Sequence, residues 1–297
     1  MTKKYKKFNK IEGYISASPL PSEKELRKLY ADYYYQDPKN SSYQIEYDEL
    51  EIRYKELECN KLIYALDLAQ EVTGKTFLDV GSGEGFLLNA ADKRDLKVTG
   101  LDYSSFGMEK FFPHLTSHTI VGDIYESLDM LIAQGKRFSM CTSTNVLEHV
   151  LSPKLFLSSI KKVMEPDGVL AIRVPNDFSD IQQLFLKSGM IDSEFWFVPP
   201  HHLNYFNTDT LPAYMKLNGF EVIDSFTDFP IDIYLLHKGS NYIKDPLCGS
   251  DANRARIHHD LMIYKKNGMD NYLNYYRAMF NVGIGRNITI IARMASE

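Results

Sequence analysis

Hydrophobic positions along the chain fall into short continuous runs and into longer stretches with helical spacing. The run at 77–80 predicts a buried parallel strand. It is followed by Gly81, Gly83 and Gly85, and then by a helical pattern at 86–91. A strand, a glycine turn and a helix in this order form the ligand crevice of a doubly wound α/β fold. The glycines let the backbone turn tightly and let a ligand approach the main chain.

Strand and helix patterns continue to alternate through the second half of the chain. A turn at 165–168 precedes an apolar strand pattern at 169–174. A helical pattern at 211–218 ends at a glycine and leads into a strand pattern at 220–226, and the last strand pattern lies at 287–292. This alternation predicts an α/β protein with helices packed on a sheet.

Two classes of ligand compete for the glycine turn. A dinucleotide-binding loop requires a third glycine three places after the second, where this chain has Phe86, and Gly85 comes one place early. Asp79 also lies at the end of the strand, where a carboxylate would repel a pyrophosphate and suit a cationic or hydroxyl-rich ligand. The loop therefore argues against an oxidoreductase that uses a nicotinamide cofactor.

The stretch at 77–85 resembles motif I of the class I S-adenosylmethionine-dependent methyltransferases. Three further segments, at 98–104, 121–124 and 138–150, are similar to the later motifs of that family and stand in its order. The resemblance implies a Rossmann-like doubly wound sheet, mostly parallel with an antiparallel last strand. It also implies an enzyme whose co-substrate is S-adenosyl-L-methionine.

The resemblance assigns the donor to acids at the ends of successive strands. Asp102 is expected to accept hydrogen bonds from both ribose hydroxyls, and Asp123 from the adenine amino group. Two structural alternatives stay open, because Asp102 is also suited to cap a helix near Ser104 and Asp123 to form a turn. The expected donor-binding residues are Asp79, Gly81, Ser82, Gly83, Gly85, Asp102, Tyr103, Asp123, Ile124 and Asn145.

Charge and composition restrict which partners the protein is expected to bind and in which compartment it is expected to work. The chain has 297 residues, a formal net charge of −5 and three cysteines. An acidic balance argues against a nucleic-acid partner, which usually requires a basic face. No apolar run approaches the length of about 20 residues that spans a membrane, and the basic N-terminus lacks the apolar core of a signal peptide. We therefore expect a cytoplasmic protein without a membrane or nucleic-acid partner, whose oligomeric state is open, with a dimer as one option.

The family pattern and the helical spacings divide the chain into four predicted parts. An N-terminal helical cap or lid occupies 1–72, and the Rossmann-like core that binds the donor occupies 73–229. A helical insertion at 230–284 separates the core from its last strand at 285–297. The insertion is expected either to add packing or a dimer surface, or to cover the acceptor site.

Histidine suits the proton transfer that an alcohol acceptor needs at neutral pH. The segment at 201–206, His-His-Leu-Asn-Tyr-Phe, resembles one found in small-molecule methyltransferases, in which the histidine before Leu-Asn-Tyr-Phe lies beside the donor methyl group. His202 is therefore the first candidate for the catalytic base and His201 the second. The alternative is a polar loop that anchors its aromatic residues to the core. His149 is expected to have a structural role.

No metal site is predicted. Asn176, Asp177 and Asp180 follow the strand at 169–174 and offer oxygen ligands, but short acidic turns of this kind usually cap helices. The predicted reaction is thus methyl transfer without a metal.

The sequence predicts a methyltransferase that acts on a small molecule, at an oxygen of a sugar or a related biosynthetic intermediate, with a histidine base. The preference for oxygen rests on the candidate base alone, so an N-methyltransferase acting on a small amine stays open. A non-catalytic subunit that binds S-adenosylmethionine is the alternative from another class.

Overall fold

The computed structural model describes residues 5–29 and 46–296 of the chain. Within these residues the strands are β1 Lys6–Asn9, β2 Ile15–Ser18, β3 Thr76–Val80, β4 Lys97–Asp102, β5 Thr119–Val121, β6 Phe138–Thr144, β7 Met164–Pro175, β8 Asn204–Tyr205, β9 Phe220–Thr227 and β10 Asn287–Met294. The helices are α1 Glu23–Leu29, α2 Glu49–Ala69, α3 Phe86–Asp92, α4 Phe106–Phe111, α5 Ile124–Ala133, α6 Pro153–Val163, α7 Asp180–Lys187, α8 Thr210–Leu217 and α9 Gly249–Asn281.

Seven strands form the central sheet, in the order β5-β4-β3-β6-β7-β10-β9. The pairs between β5 and β7 are parallel, whereas β10 is antiparallel to both of its neighbours. The predicted Rossmann-like α/β fold with an antiparallel last strand is therefore confirmed. From β3 the sheet grows in one direction through β4 and β5 and in the other direction through β6 and β7. The carboxyl ends of β3 and its neighbours therefore border the crevice that is expected where the strand order reverses.

Side chains of the central strands alternate between two apolar layers, as the strand period of two residues requires. Phe77 packs with the layer that contains α2, α3 and α9, and Leu78 with the layer that contains α5, α6 and α8. Both side chains are fully buried. The glycine loop after β3 thus stands on a strand that is fixed from both faces.

The N-terminal part is not purely helical, which corrects the predicted helical cap. Strands β1 and β2 form an antiparallel hairpin, and β2 also pairs with β8. The tight turn between them contains Gly13 at φ 89°. The helical expectation holds for α1, where Ser22 and Glu25 form a reciprocal cap, and for α2.

The insertion before β10 is helical, as predicted. Helix α9 is interrupted at Gly268, whose φ of 75° and ψ of 175° are not helical. This break divides α9 into two helical parts, one on each side of Gly268. Before α9, the segment at 231–248 contains short 3-10 turns. The insertion packs against α2 and β9 and therefore extends the layer that covers one face of the sheet.

None of the helices in the described part of the chain is both long and apolar enough to span a membrane. The three cysteines, Cys59, Cys141 and Cys248, are free thiols.

Candidate functional site

A cavity of about 1100 Å³ opens at the carboxyl ends of the parallel strands. All ten residues predicted to bind the donor line it, although they come from four separate segments. His202 lines the same cavity, whereas His201 is exposed and lies outside the lining. The structure therefore brings the predicted donor-binding residues together with His202, the first candidate base, but not with His201, the second.

The glycine loop after β3 has no room for side chains at two of its positions. Gly81 has a φ of 84°, and a Cβ atom there would lie 2.4 Å from Cγ2 of Val146. Gly85 has a φ of 85°, and a Cβ atom there would lie 2.3 Å from Sδ of Met108. Only glycine meets both the backbone conformation and the close packing at these positions.

Asp102 is buried at the end of β4 and holds two nearby stretches of main chain. Its carboxylate accepts hydrogen bonds from the Gly83 N–H at 2.7 Å and from the Ser104 N–H at 3.1 Å. It therefore holds the glycine loop and begins the turn after β4, and it also lines the cavity.

Asp123 begins helix α5 and also lines the cavity. Its Oδ1 accepts hydrogen bonds from the N–H groups of Tyr125 and Glu126, at 2.9 and 3.2 Å. Tyr103 donates its hydroxyl to Oδ2 at 3.0 Å, which links the ends of β4 and β5. The structural alternative for Asp123 was a turn, and the structure shows a helix cap instead, because its side chain satisfies N–H groups of the first helical turn.

Asp79 is the most deeply buried acid of the cavity, with 1% of its surface exposed. Burial raises the pKa of its carboxyl to about 7, a hydrogen bond from Thr142 opposes the rise, and the charge of Asp102 adds to it. The Thr142 hydroxyl donates to Oδ1 at 2.7 Å. Any cation that enters the cavity would stabilise the charged form of this buried carboxyl and so lower its pKa.

The sequence did not point to Glu84, which connects the glycine loop to the N-terminal part of the chain. The Tyr47 hydroxyl donates to Glu84 Oε1 at 2.7 Å, and Lys55 lies 2.9 Å from Oε2. Glu84 is buried. The only signal in the sequence was the helical pattern of α2, of which one face, residues 51, 54, 55, 58 and 59, lines the cavity.

His202, which lines the cavity, stands in a second group of titratable residues. Its Nδ1 lies 3.7 Å from Oδ2 of Asp177, whose other oxygen accepts a hydrogen bond from Arg286 at 2.8 Å. Burial raises the pKa of Asp177, but the Arg286 guanidinium and the nearby His202 ring bring it below its usual range. Asp177 is therefore an ionised partner of His202 and not a helix cap.

His149 packs its ring against His202, with the centroids 4.9 Å apart. Its Nδ1 lies 2.6 Å from the main-chain oxygen of His201. Burial lowers the pKa of His149 to about 3, and the neighbouring His202 adds to this effect. A neutral ring that supports the 201–202 loop agrees with the structural role expected for His149.

Glu148 lies next to these histidines and is also buried. Burial raises the pKa of its carboxyl to about 7. One ligand atom each of Glu148, His149 and His202 lies within 4.8 Å of the others, an arrangement that could hold a metal ion. The expectation of a metal-free site therefore stays a prediction, which metal analysis of the purified protein tests.

A family model described as "Methyltransferase domain" matches residues 52–225. The chain belongs to the class I S-adenosylmethionine-dependent methyltransferases. The matched range covers the glycine loop, Asp79, Asp102, Asp123 and His202, so it contains most of the lining of the methyltransferase cavity.

Curated relatives of the methyltransferase are similar over part of their length. The ubiquinone biosynthesis O-methyltransferase of Haemophilus ducreyi is 33% identical over 121 residues, which cover 38% of this chain and 50% of that protein. The protein of the same name from Histophilus somni is 31% identical over 142 residues, which cover 46% of this chain and 57% of that protein. The chain spans about half the length of the curated relatives it matches.

One solved structure is similar to nearly the whole methyltransferase chain. It is the Burkholderia thailandensis 1,6-didemethyltoxoflavin-N1-methyltransferase with bound 1,6-didemethyltoxoflavin and S-adenosylhomocysteine. The two chains are 14% identical, with a TM-score of 0.53, and the alignment covers 95% of this chain and 96% of that chain. At this identity the likeness shows a shared fold.

The cavity fits the methyl donor of the family. S-adenosylmethionine carries a sulfonium, an ammonium and two ribose hydroxyls, which favour carboxylates. Asp79, Asp102 and Asp123 supply three carboxyl groups to one wall of the cavity. Gly81 and Gly85 give the adjoining loop its shape, because each has a positive φ and a Cβ atom at either position would collide with Val146 or Met108.

Proposed function

We propose that this chain transfers a methyl group from S-adenosylmethionine to an oxygen of a small acceptor, with His202 as the general base. The observation that carries the proposal is the single cavity lined both by the ten donor residues and by His202. The donor, when bound, supplies the methyl group for an in-line displacement, and the protein supplies alignment and desolvation.

Each donor residue is proposed to hold the group that its chemistry suits. Asp102 accepts from the ribose hydroxyls and Asp123 from the adenine amino group, against which Ile124 packs. Asp79 faces the positively charged methionine end, together with Asn145. Asn145 stands at φ 56° after β6 and donates its N–H to the Arg173 oxygen at 2.9 Å. Ser82, Gly83 and Tyr103 complete the wall.

His202 is proposed to take the proton that the acceptor hydroxyl loses. Asp177, held by Arg286, faces Nδ1 and stabilises the imidazolium that forms. The neutral ring of His149 limits the movement of His202 without competing for the proton. His201 has no place in this mechanism, because it is exposed and does not line the cavity.

The N-terminal part is proposed to cover the donor, with the domain limits predicted from the sequence. Support comes from Tyr47 and Lys55, which bind Glu84 of the glycine loop and so place α2 beside the donor wall. Access to the site then requires these contacts to open, as in other enzymes that exclude water by closing a segment over the substrate.

The names of the curated relatives support oxygen as the acceptor atom, since both are O-methyltransferases. Transfer to a small amine remains the second candidate, because a neutral histidine can also remove a proton from an ammonium group. A sugar or a related biosynthetic intermediate is the proposed acceptor class, and the acidic chain suits a small molecule better than a nucleic acid. We also propose that the protein works in the cytoplasm.

The test is a transfer assay with S-adenosylmethionine labelled in its methyl group and a panel of sugar hydroxyls, phenols and amines. We expect labelled product from a hydroxyl acceptor. His202→Gln is expected to lower turnover about 100-fold, while the matched variant His201→Gln leaves it unchanged. Equal turnover of the two variants would remove His202 as the base, and label in amines alone would shift the proposal to N-methylation.

A further inference from the structure

The cavity has a second region, beyond the predicted donor wall. The donor wall comes from the ends of β3, β4 and β5, whereas this second region is lined by residues at the end of β7 and by the first half of α9. Asn253, Arg256 and Ile257 are the α9 residues of this lining. The insertion therefore contributes part of the surface that an acceptor would contact.

Two of the cations in the cavity are neutralised by carboxylates. Lys55 binds Glu84 at 2.9 Å. Arg173 lies 2.7 Å from Asp228 and 3.9 Å from Glu58, both of which are buried. These two cations hold the walls together and leave little positive charge for a ligand.

Arg256 differs from Lys55 and Arg173 in its contacts. Its guanidinium carbon lies 5.0 Å from the centroid of the Tyr54 ring, and its Nη2 donates a hydrogen bond to Asn253. No carboxylate in the described part of the chain forms an ion pair with it. Its Nε is buried and has no hydrogen-bond partner.

A guanidinium oriented in this way is suited to an anion. The contact with the Tyr54 ring and the hydrogen bond to Asn253 limit the movement of the group, and a planar guanidinium presents its N–H donors as a fork. Such a fork matches the two oxygens of a carboxylate or a phosphate.

We propose that Arg256 binds an oxyanion of the acceptor, either a carboxylate or a phosphate, so that the enzyme selects small anionic acceptors. This inference rests on the proposed function, because it concerns the same cavity. It gives the insertion a role in choosing the acceptor, since Arg256, Asn253 and Ile257 all belong to it. Binding the carboxylate of the donor is the competing role, and it makes a different prediction.

The experiment measures anion binding to protein saturated with S-adenosylhomocysteine. Isothermal titrations with inorganic phosphate and with benzoate separate the two sources of the oxyanion. The variant is Arg256→Gln. The matched control is Arg254→Gln, two positions earlier in α9, where the side chain is 48% exposed, binds Asp48 and does not line the cavity. Circular dichroism checks that both variants fold.

We expect the wild type and Arg254→Gln to bind one of the two anions equally, and Arg256→Gln to bind it at least about tenfold more weakly. Affinity for S-adenosylhomocysteine should be the same in all three proteins. Equal anion binding by Arg256→Gln, or no anion binding by the wild type, would overturn the inference. A loss of S-adenosylhomocysteine affinity in Arg256→Gln alone would also overturn it, because Arg256 would then bind the donor.

Failure of the wild type to bind S-adenosylhomocysteine at all has a separate meaning. That result would contradict the proposed function, and the inference about the acceptor would fall with it. The two hypotheses therefore fail in distinguishable ways in one set of titrations.

Discussion

Replacing Asp79 with Asn should make the ligand-free protein more stable and its donor site weaker. The carboxyl is buried, and burial raises its pKa from the ordinary 3.8 to about 7. Asn is nearly the same size, and its Oδ1 can keep the hydrogen bond that Thr142 donates to Asp79. The substitution thus removes the buried charge with little change in packing.

The size of the effect follows from the pKa difference between the folded and unfolded chains. A pKa raised from 3.8 to about 7 corresponds to at most about 4 kcal/mol. Because the folded-state pKa is the higher one, the favourable contribution of the protonated carboxyl is fully present below pH 3.8. It is lost as the pH rises through about 7. The stability gained by Asp79→Asn should therefore be largest near pH 8 and vanish near pH 4.

The assay is thermal unfolding of ligand-free wild type and Asp79→Asn between pH 4 and pH 9. One kcal/mol shifts the Tm of a protein of this size by about 2 °C, so the variant should melt up to about 8 °C higher at pH 8. Its affinity for S-adenosylhomocysteine should fall about tenfold, because the ammonium of the homocysteine part loses its carboxylate. Asp167→Asn, at an exposed position outside the cavity, is the control.

A variant that is less stable than the wild type at pH 8 would refute this reasoning. So would a stability gain that does not depend on pH, because it would not come from the ionisation of the carboxyl.

Three further substitutions test other parts of the site. Gly81→Ala should abolish S-adenosylhomocysteine binding in a titration, because its Cβ would lie 2.4 Å from Cγ2 of Val146 at a strained φ; retained affinity would contradict the tight loop. Asp177→Asn should lower kcat about tenfold in the labelled transfer assay without changing donor affinity, since it leaves His202 in place but removes its ionised partner. Arg173→Met should destabilise the protein by about 3–5 kcal/mol in denaturant unfolding, because two buried carboxylates lose their cation, and an unchanged midpoint would refute that role.

The donor wall could be predicted from the sequence because its elements are local. A strand, a glycine turn and a helix are adjacent in the chain, and an acid at the end of each later strand must reach the same edge of a parallel sheet. The positions of Asp102 and Asp123 at this edge therefore follow from the order of their strands. The two helices of the insertion were predictable for the same reason, since their spacing is local and Gly268 separates them.

The contacts that shape the rest of the site were not predictable, because they join residues far apart in the chain. Glu84 and Lys55 are 29 positions apart, and Asp177 and Arg286 are 109 positions apart. No spacing rule connects such pairs in a single sequence.

The hairpin of β1 and β2 escaped prediction for a different reason. Its strands have four residues each, and β8, which completes the small sheet, has two. An alternating pattern cannot be distinguished over so few positions. The N-terminal part was accordingly expected to be a helical cap or lid, on the basis of its longer and clearer helix patterns.

The most direct test of the donor site is calorimetric titration of S-adenosylhomocysteine into ligand-stripped wild type and Asp102→Ala, with the exposed Asp92→Ala as control. The account predicts that the wild type and the control bind equally well. It also predicts that Asp102→Ala, still folded by circular dichroism, binds at least about tenfold more weakly. Absence of binding by the wild type, or equal affinity in Asp102→Ala, would contradict it.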